Sequence, residues 1–111
     1  MIFHITTENA WNDAQPLNEY AVLSLISEGF IHLSTADQVL RTASRFYADV
    51  PGLVLLQVDE TQCTAEIKWE PPAEAPKSDE RFPHLYGPLN LDAVVDVRPL
   101  TKHGSSFVFP F

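Results

Sequence analysis

The residues of this chain that could do chemistry are its four histidines, and each stands two positions before a hydroxyl. The four stretches are "HIT" (His4 to Thr6), "HLS" (His32 to Ser34), "HLY" (His84 to Tyr86) and "HGS" (His103 to Ser105). On an extended strand, residues i and i+2 share a face, so each imidazole and its hydroxyl would meet the same ligand group. The hydroxyl can fix the ring tautomer or add a hydrogen bond. The imidazole, with an ordinary pKa of about 6.5, takes or gives a proton near neutrality. Two such strands facing one cleft would offer two imidazoles and two hydroxyls to a phosphate, a ribose or a carbonyl. The competing reading makes each ring a satisfied, part-buried structural residue. Against it, three polar rings at half-buried positions (His4, His32 and His84) cost desolvation unless they meet partners. His103, in the "KHG" turn, is expected at the surface.

A carboxylate completes the candidate set. "KWEPP" puts Glu70 at the end of a strand beside Trp69 and just before a loop, where it could orient an imidazole or act as a general base. Trp11 and Trp69 read as core or cleft wall, and Arg81 as a solvated loop residue. The four glycines are isolated, and neither a Walker A loop nor a GxGxxG pattern is present.

These side chains need elements to hold them. Ile2 to Thr6 alternates as a strand, and Thr6 or Thr7 caps a short helix through "ENAWNDA" that Pro16 ends. "AVLSLISEG" reads as a second helix stopped by Gly29, and "FIHLS" as the strand after it. Ser34 or Thr35 caps a third helix, "ADQVLRTASRFYADV", with Asp37 and Gln38 near its start. "LVLLQVD" is the expected central strand, with "AEIKWE" as its neighbour. Residues 71–80, "PPAEAPKSDE", are expected to form a mobile, Pro-rich surface loop. "FPHLY", "DAVVDVRPL" and "SFVFPF" read as later strands, the last an edge limited by Pro110. Helices gathered early and strands gathered late imply a small α+β domain spanning residues 1–111, with a mainly antiparallel sheet and two to three helices in its N-terminal half.

Bulk properties exclude some partners. At 111 residues and 45% hydrophobic content the chain can bury one real core. Its net charge of −8 argues against sequence-independent binding of nucleic acid or of anionic membrane. A lone Cys63 cannot close an intrachain disulfide, and the apolar run at the N-terminus is broken by His4 and has no basic start. A cytoplasmic location is therefore expected.

The combination "HIT", "GFIHLS", "WE" and "FPHLYGPL" resembles the bacterial domain-of-unknown-function family 952 from about residue 2 to residue 99. That resemblance implies a fold similar to the ADP-ribosyltransferases. "HIT" is similar to the His-Gly-Thr strand with which those enzymes hold the nicotinamide ribose of NAD, with Ile5 in place of the glycine. By the same likeness Ser34 would supply a hydroxyl from a later strand, and Glu70 would be the counterpart of the catalytic glutamate.

Three readings follow. In the first, the cleft binds NAD or a related nucleotide as substrate and transfers or hydrolyses its ADP-ribose. His4, His32 and Glu70 are then catalytic, and Thr6, Ser34, His84 and Tyr86 bind the ligand. The second is a phosphoesterase, either of the two-histidine kind or with His4, His32, His84 and Glu70 around a zinc-like ion. No His-x-His spacing marks such a set, and no metal ligands are assigned. The third is a binding or interaction module, with "SFVFPF" as a docking strand or the edge of a homodimer.

Overall fold

A computed structural model describes residues 1–111. Its strands are β1 (Ile2–Thr7), β2 (Glu19–Tyr20), β3 (Ile31–His32), β4 (Leu53–Val58), β5 (Glu66–Glu70), β6 (Phe82–Tyr86), β7 (Leu89–Asn90), β8 (Val94–Pro99), β9 (Thr101–His103) and β10 (Ser106–Val108). The helices α1 (Glu8–Ala14), α2 (Ser24–Ser27) and α3 (Ala36–Phe46) all precede β4. Every strand pairing is antiparallel, and the protein is an α+β domain.

Two three-stranded sheets carry the architecture, ordered β1-β4-β8 and β3-β6-β5. β4 is central in the first, as its continuous apolar run requires when both faces are covered. Phe3 and Ile5 from one face of β1, with Leu53 and Leu55 of β4, pack on Val39 and Ala43 of α3. Ile2 from the other face, with Val54, Leu56 and Val58, packs on Ile31, Leu33 and Leu85 of the second sheet. His4 and Thr6 share that second face by strand parity, so both point toward the junction of the two sheets.

The junction itself is narrow. Phe3 and Ser34 exchange both backbone hydrogen bonds at 2.8 Å, and Leu33 N–H reaches the Pro83 carbonyl at 3.1 Å. β3 is consequently only two residues long, because its chain leaves one sheet for the other within "FIHLS".

Local chemistry sets the element ends. Thr7 caps α1 by accepting from Ala10 N–H at 3.1 Å. Of the two candidate caps for α3, Thr35 serves, and its N–H donates to the Gln38 side-chain oxygen at 3.0 Å. The Gln38 amide nitrogen then donates to the Arg81 carbonyl at 2.7 Å, which ties the start of β6 to the helix. α2 is shorter than "AVLSLISEG" suggests, a single turn ended by Gly29 at φ +88.

One strand lies elsewhere than expected. "AEIKWE" pairs with β6 at the edge of the second sheet and not with β4. Its alternation is real, but β8 and β1 already occupy both sides of β4. Residues 71–80 contain no helix or strand, and ion pairs from Glu74 to Arg45 and from Glu80 to Arg41 link them to α3. His103 is exposed, as the last residue of β9 in the terminal hairpin. No helix is long and apolar enough to cross a membrane.

Gly87, just after β6, sits against the residue that precedes β5, where an added Cβ would lie 2.8 Å from Ala65 Cβ. Gly87→Ala should destabilise the protein by about 1–3 kcal/mol through overpacking, read as a lower urea midpoint at neutral pH. An unchanged midpoint would mean that the β5–β6 end can open without cost.

Candidate functional site

A cleft of about 770 Å³ opens where the two sheets diverge, within the usual range of about 300–1,000 Å³ for small-molecule pockets. His4, Thr6, His32, Ser34 and His84 all line it, so five of the seven candidate residues reach one surface. Glu70 and Tyr86 stand behind His84.

His4 is engaged at both ring nitrogens. Only 6% exposed, it places Nδ1 2.6 Å from the backbone carbonyl of His32 and Nε2 2.9 Å from the Tyr20 hydroxyl. A carbonyl only accepts, so Nδ1 carries the proton. Burial pushes the His4 pKa down to about 4, which leaves the ring neutral and Nε2 a bare acceptor. Tyr20 must then donate its single proton to Nε2, and the Thr6 hydroxyl, 2.8 Å away, must donate to Tyr20. Burial also raises the Tyr20 pKa to about 12, which keeps that donor protonated. The result is a directed chain from Thr6 through Tyr20 and His4 to the His32 backbone. It confirms that His4 and Thr6 share a face, and it leaves His4 no free ring nitrogen. A ribose grip or a catalytic proton transfer by the His4 ring would have to break this chain.

His84 is differently placed. It is 2% exposed, and its Nδ1–H donates to Glu70 Oε1 at 3.0 Å. The same oxygen accepts the Tyr86 hydroxyl at 2.6 Å, so His84 and Tyr86 also share a face. Hydrogen bonds from Tyr86 and then from His84 hold the Glu70 carboxyl below its ordinary pKa. Burial pulls the His84 pKa below its ordinary value, and the carboxylate partly opposes it. The Phe30 ring stacks on the imidazole at 4.1 Å and 15°. His84 therefore presents Nε2 as an unengaged lone pair, in a tautomer set by Glu70.

His32 pairs directly across from His84 in the β3–β6 register, with the ring centroids 5.5 Å apart. It is solvent-exposed, and its Nε2 donates to Glu28 Oε2 at 2.5 Å. Each of the two cross-strand imidazoles thus has its own carboxylate.

The four groups considered as a metal set do not converge on a point. Both nitrogens of His4 are occupied, Glu70 faces the far side of His84, and no three His, Cys, Asp or Glu side chains are grouped to hold an ion. Sequence reasoning missed Tyr20, Glu28 and Phe30. Glu28 had a signal, four residues before His32 and flanked by Gly29. Tyr20 had none, because only the paired β2 and β7 bring it under His4.

A family model described as "Protein of unknown function (DUF952)" matches residues 5–97. The X-ray structure of protein CC0527 from Caulobacter crescentus is similar at 30% identity and TM-score 0.81, covering 96% of this chain and 90% of that one. The solution NMR structure of CC0527 gives 30% identity and TM-score 0.77, with 96% and 89% covered. No curated protein matches the chain.

Two measurements test the His4 chain. The folded pKa of about 4 lies below the ordinary 6.5 that the ring regains on unfolding. Above pH 6.5 both states are neutral and stability is whole; between 6.5 and 4 only the unfolded chain gains a proton. Stability should fall by about 3 kcal/mol across that window as pH is lowered, and this step should vanish in His4→Gln. Urea unfolding at several pH values reads both. Tyr20→Phe, which strands His4 Nε2 and the Thr6 hydroxyl, should cost about 1–3 kcal/mol at neutral pH in the same assay.

Proposed function

The chain belongs to the DUF952 family, and from that premise we propose that its cleft binds NAD or a related nucleotide and that His84 transfers a proton as the ADP-ribosyl group is hydrolysed or transferred. One observation carries the reading: a neutral imidazole with an open Nε2, oriented by a carboxylate, lines a cleft of ligand size together with Thr6, His32 and Ser34. The resemblance of "HIT" and its surroundings to the ADP-ribosyltransferases supplies the chemistry.

In that chemistry the C1′–N glycosidic bond breaks, and its electron pair goes to the nicotinamide ring, which leaves neutral. A water or acceptor oxygen bonds to C1′ and gives its proton to His84 Nε2. Glu70, directed at Nδ1 and not into the cleft, acts through His84: it fixes the tautomer and stabilises the imidazolium as it forms. In this reading Glu70 acts through His84 and not, as the likeness to the catalytic glutamate had implied, directly on the substrate. His4, Thr6 and Tyr20 hold the wall, while His32 and Ser34 contact the ligand.

The pairing of His32 with His84 supports a second reading, a phosphoesterase in which one imidazole is base and the other acid. Turnover of 2′,3′-cyclic nucleotides, lost in both His32→Ala and His84→Ala, would favour it.

For the first reading, NAD should bind in a calorimetric titration and nicotinamide should be released. His84→Ala should cut the release about 10²-fold or more while NAD still binds. Glu70→Gln should lower kcat and move its pH profile with little change in KM. Neither binding nor release by the parent protein would sink the proposal.

A further inference from the structure

The second sheet has an open edge. β5 is its outermost strand and pairs with β6 alone. Pro83 of β6 turns its carbonyl toward Leu33, so the Trp69 N–H and carbonyl, opposite Pro83, face away from β6. Those of Ile67, two residues earlier, face outward by the same strand period. No backbone bond outside the sheets engages either residue. Trp69 is also half exposed, a large apolar side chain on the same strand. Such an edge is a template for another strand. The outer strand of the first sheet is closed to this use: the Asp96 carboxylate holds Val97 N–H at 2.8 Å, and Pro99 has no N–H to offer.

The charges on β5 select the strand that fits. Glu66, Lys68 and Glu70 share the face that carries His84 and Tyr86, and Ile67 and Trp69 take the other. Laid antiparallel on a second copy about Ile67, the strand sets Ile67 against the partner's Ile67, Trp69 against the partner's Ala65 and Glu66 against the partner's Lys68. Two-fold symmetry repeats the charge pair with the roles exchanged. Parity agrees: the outward-facing backbone groups of 65, 67 and 69 meet one another, and Glu66 meets Lys68 at the closer, non-hydrogen-bonded position. A centre one residue later would oppose Lys68 to Lys68 and Glu66 to Glu70, which like charge disfavours. Within one chain Lys68 comes only to 3.9 Å of Glu66, and both are exposed, so each has room for a second partner.

We propose that β5 is a homodimer interface, in which two copies pair about Ile67 and join their second sheets into one antiparallel sheet of six strands. The proposal stands apart from the reading of the cleft. The Trp69 ring covers the small Ala65 of the partner subunit, and the added strand steadies β5, whose last residue, Glu70, orients His84.

Sedimentation velocity on the full chain, in a concentration series up to about 1 mM, reads a contact as small as one strand edge. The parent protein should pass from monomer to dimer across the series. Glu66→Lys and Lys68→Glu each bring like charges into register, and each alone should raise the dimer dissociation constant about tenfold or more. An equimolar mixture of the two variants restores both opposite-charge pairs in a heterodimer, and its dissociation constant should return to within about threefold of the parent value. That recovery also requires both variants to be folded. Glu66→Lys makes the net charge of −8 less negative, so repulsion between whole molecules would give tighter association where the register gives weaker. Undiminished association in either variant, or a mixture no tighter than its components, would overturn the proposal. A parent that stays monomeric throughout would do the same and leave the edge to a strand of another protein.

Discussion

The hydrogen bond from His4 Nδ1 to the His32 carbonyl is the constraint on which the site depends. β1 and β3 belong to different sheets, and between them the backbone offers one bridge, Phe3 with Ser34. Past that bridge the sheets part and the cleft begins. The imidazole spans the parting and locks the peptide of His32 in place while the His32 side chain is left to face solvent. A hydrophobic residue at position 4 would fill the same space but could not hold a carbonyl. The burial that lowers the pKa of His4 also keeps the ring in the neutral form whose Nε2 accepts from Tyr20.

From this fixed point the chemistry of the second sheet follows by register. His32 and His84 are directly opposed, so two imidazoles must lie side by side wherever β3 and β6 pair. Glu70 opposes Phe82 at the far end of β6, and its side chain returns along the strand to His84 and Tyr86. Glu28 comes from the other direction, at the end of α2, where Gly29 at positive φ turns the chain back into β3. Phe30 stacks over His84 and meets His32 edge-on, so one apolar ring touches both imidazoles. The two histidines differ in burial, not in kind: one is dry and tautomerically fixed, the other open to solvent.

Much of this was legible in the chain, and the limits have physical causes. The i, i+2 rule correctly joined His4 to Thr6 and His84 to Tyr86, because both pairs lie on regular strands and each shares a single partner. It was weaker at "FIHLS", where the strand changes sheets and His32 is exposed while Ser34 is buried. The start of α3 and the central place of β4 followed from local signals, the Ser34-Thr35 hydroxyl pair ahead of Asp37 and Gln38 and an unbroken apolar run, while the choice of Thr35 as the cap did not. The place of β5 did not, since alternation states which face is buried and not which neighbour is paired. That both ring nitrogens of His4 would be engaged within the protein was also beyond the sequence. Its partner is a tyrosine from a two-residue strand, and no local pattern brings Tyr20 beneath it.

The narrow seam between the sheets also bears on how such a protein can change over generations. From β1, His4 and Thr6 reach the cleft, and both are committed to one internal hydrogen-bonded chain. The rings of His32 and His84, which are not part of that chain, come from β3 and β6, on the far side of the bridge. Drift in the second sheet can therefore alter what is recognised while the first keeps the molecule folded. A lineage built this way could exchange ligands by successive single substitutions without passing through an unfolded ancestor.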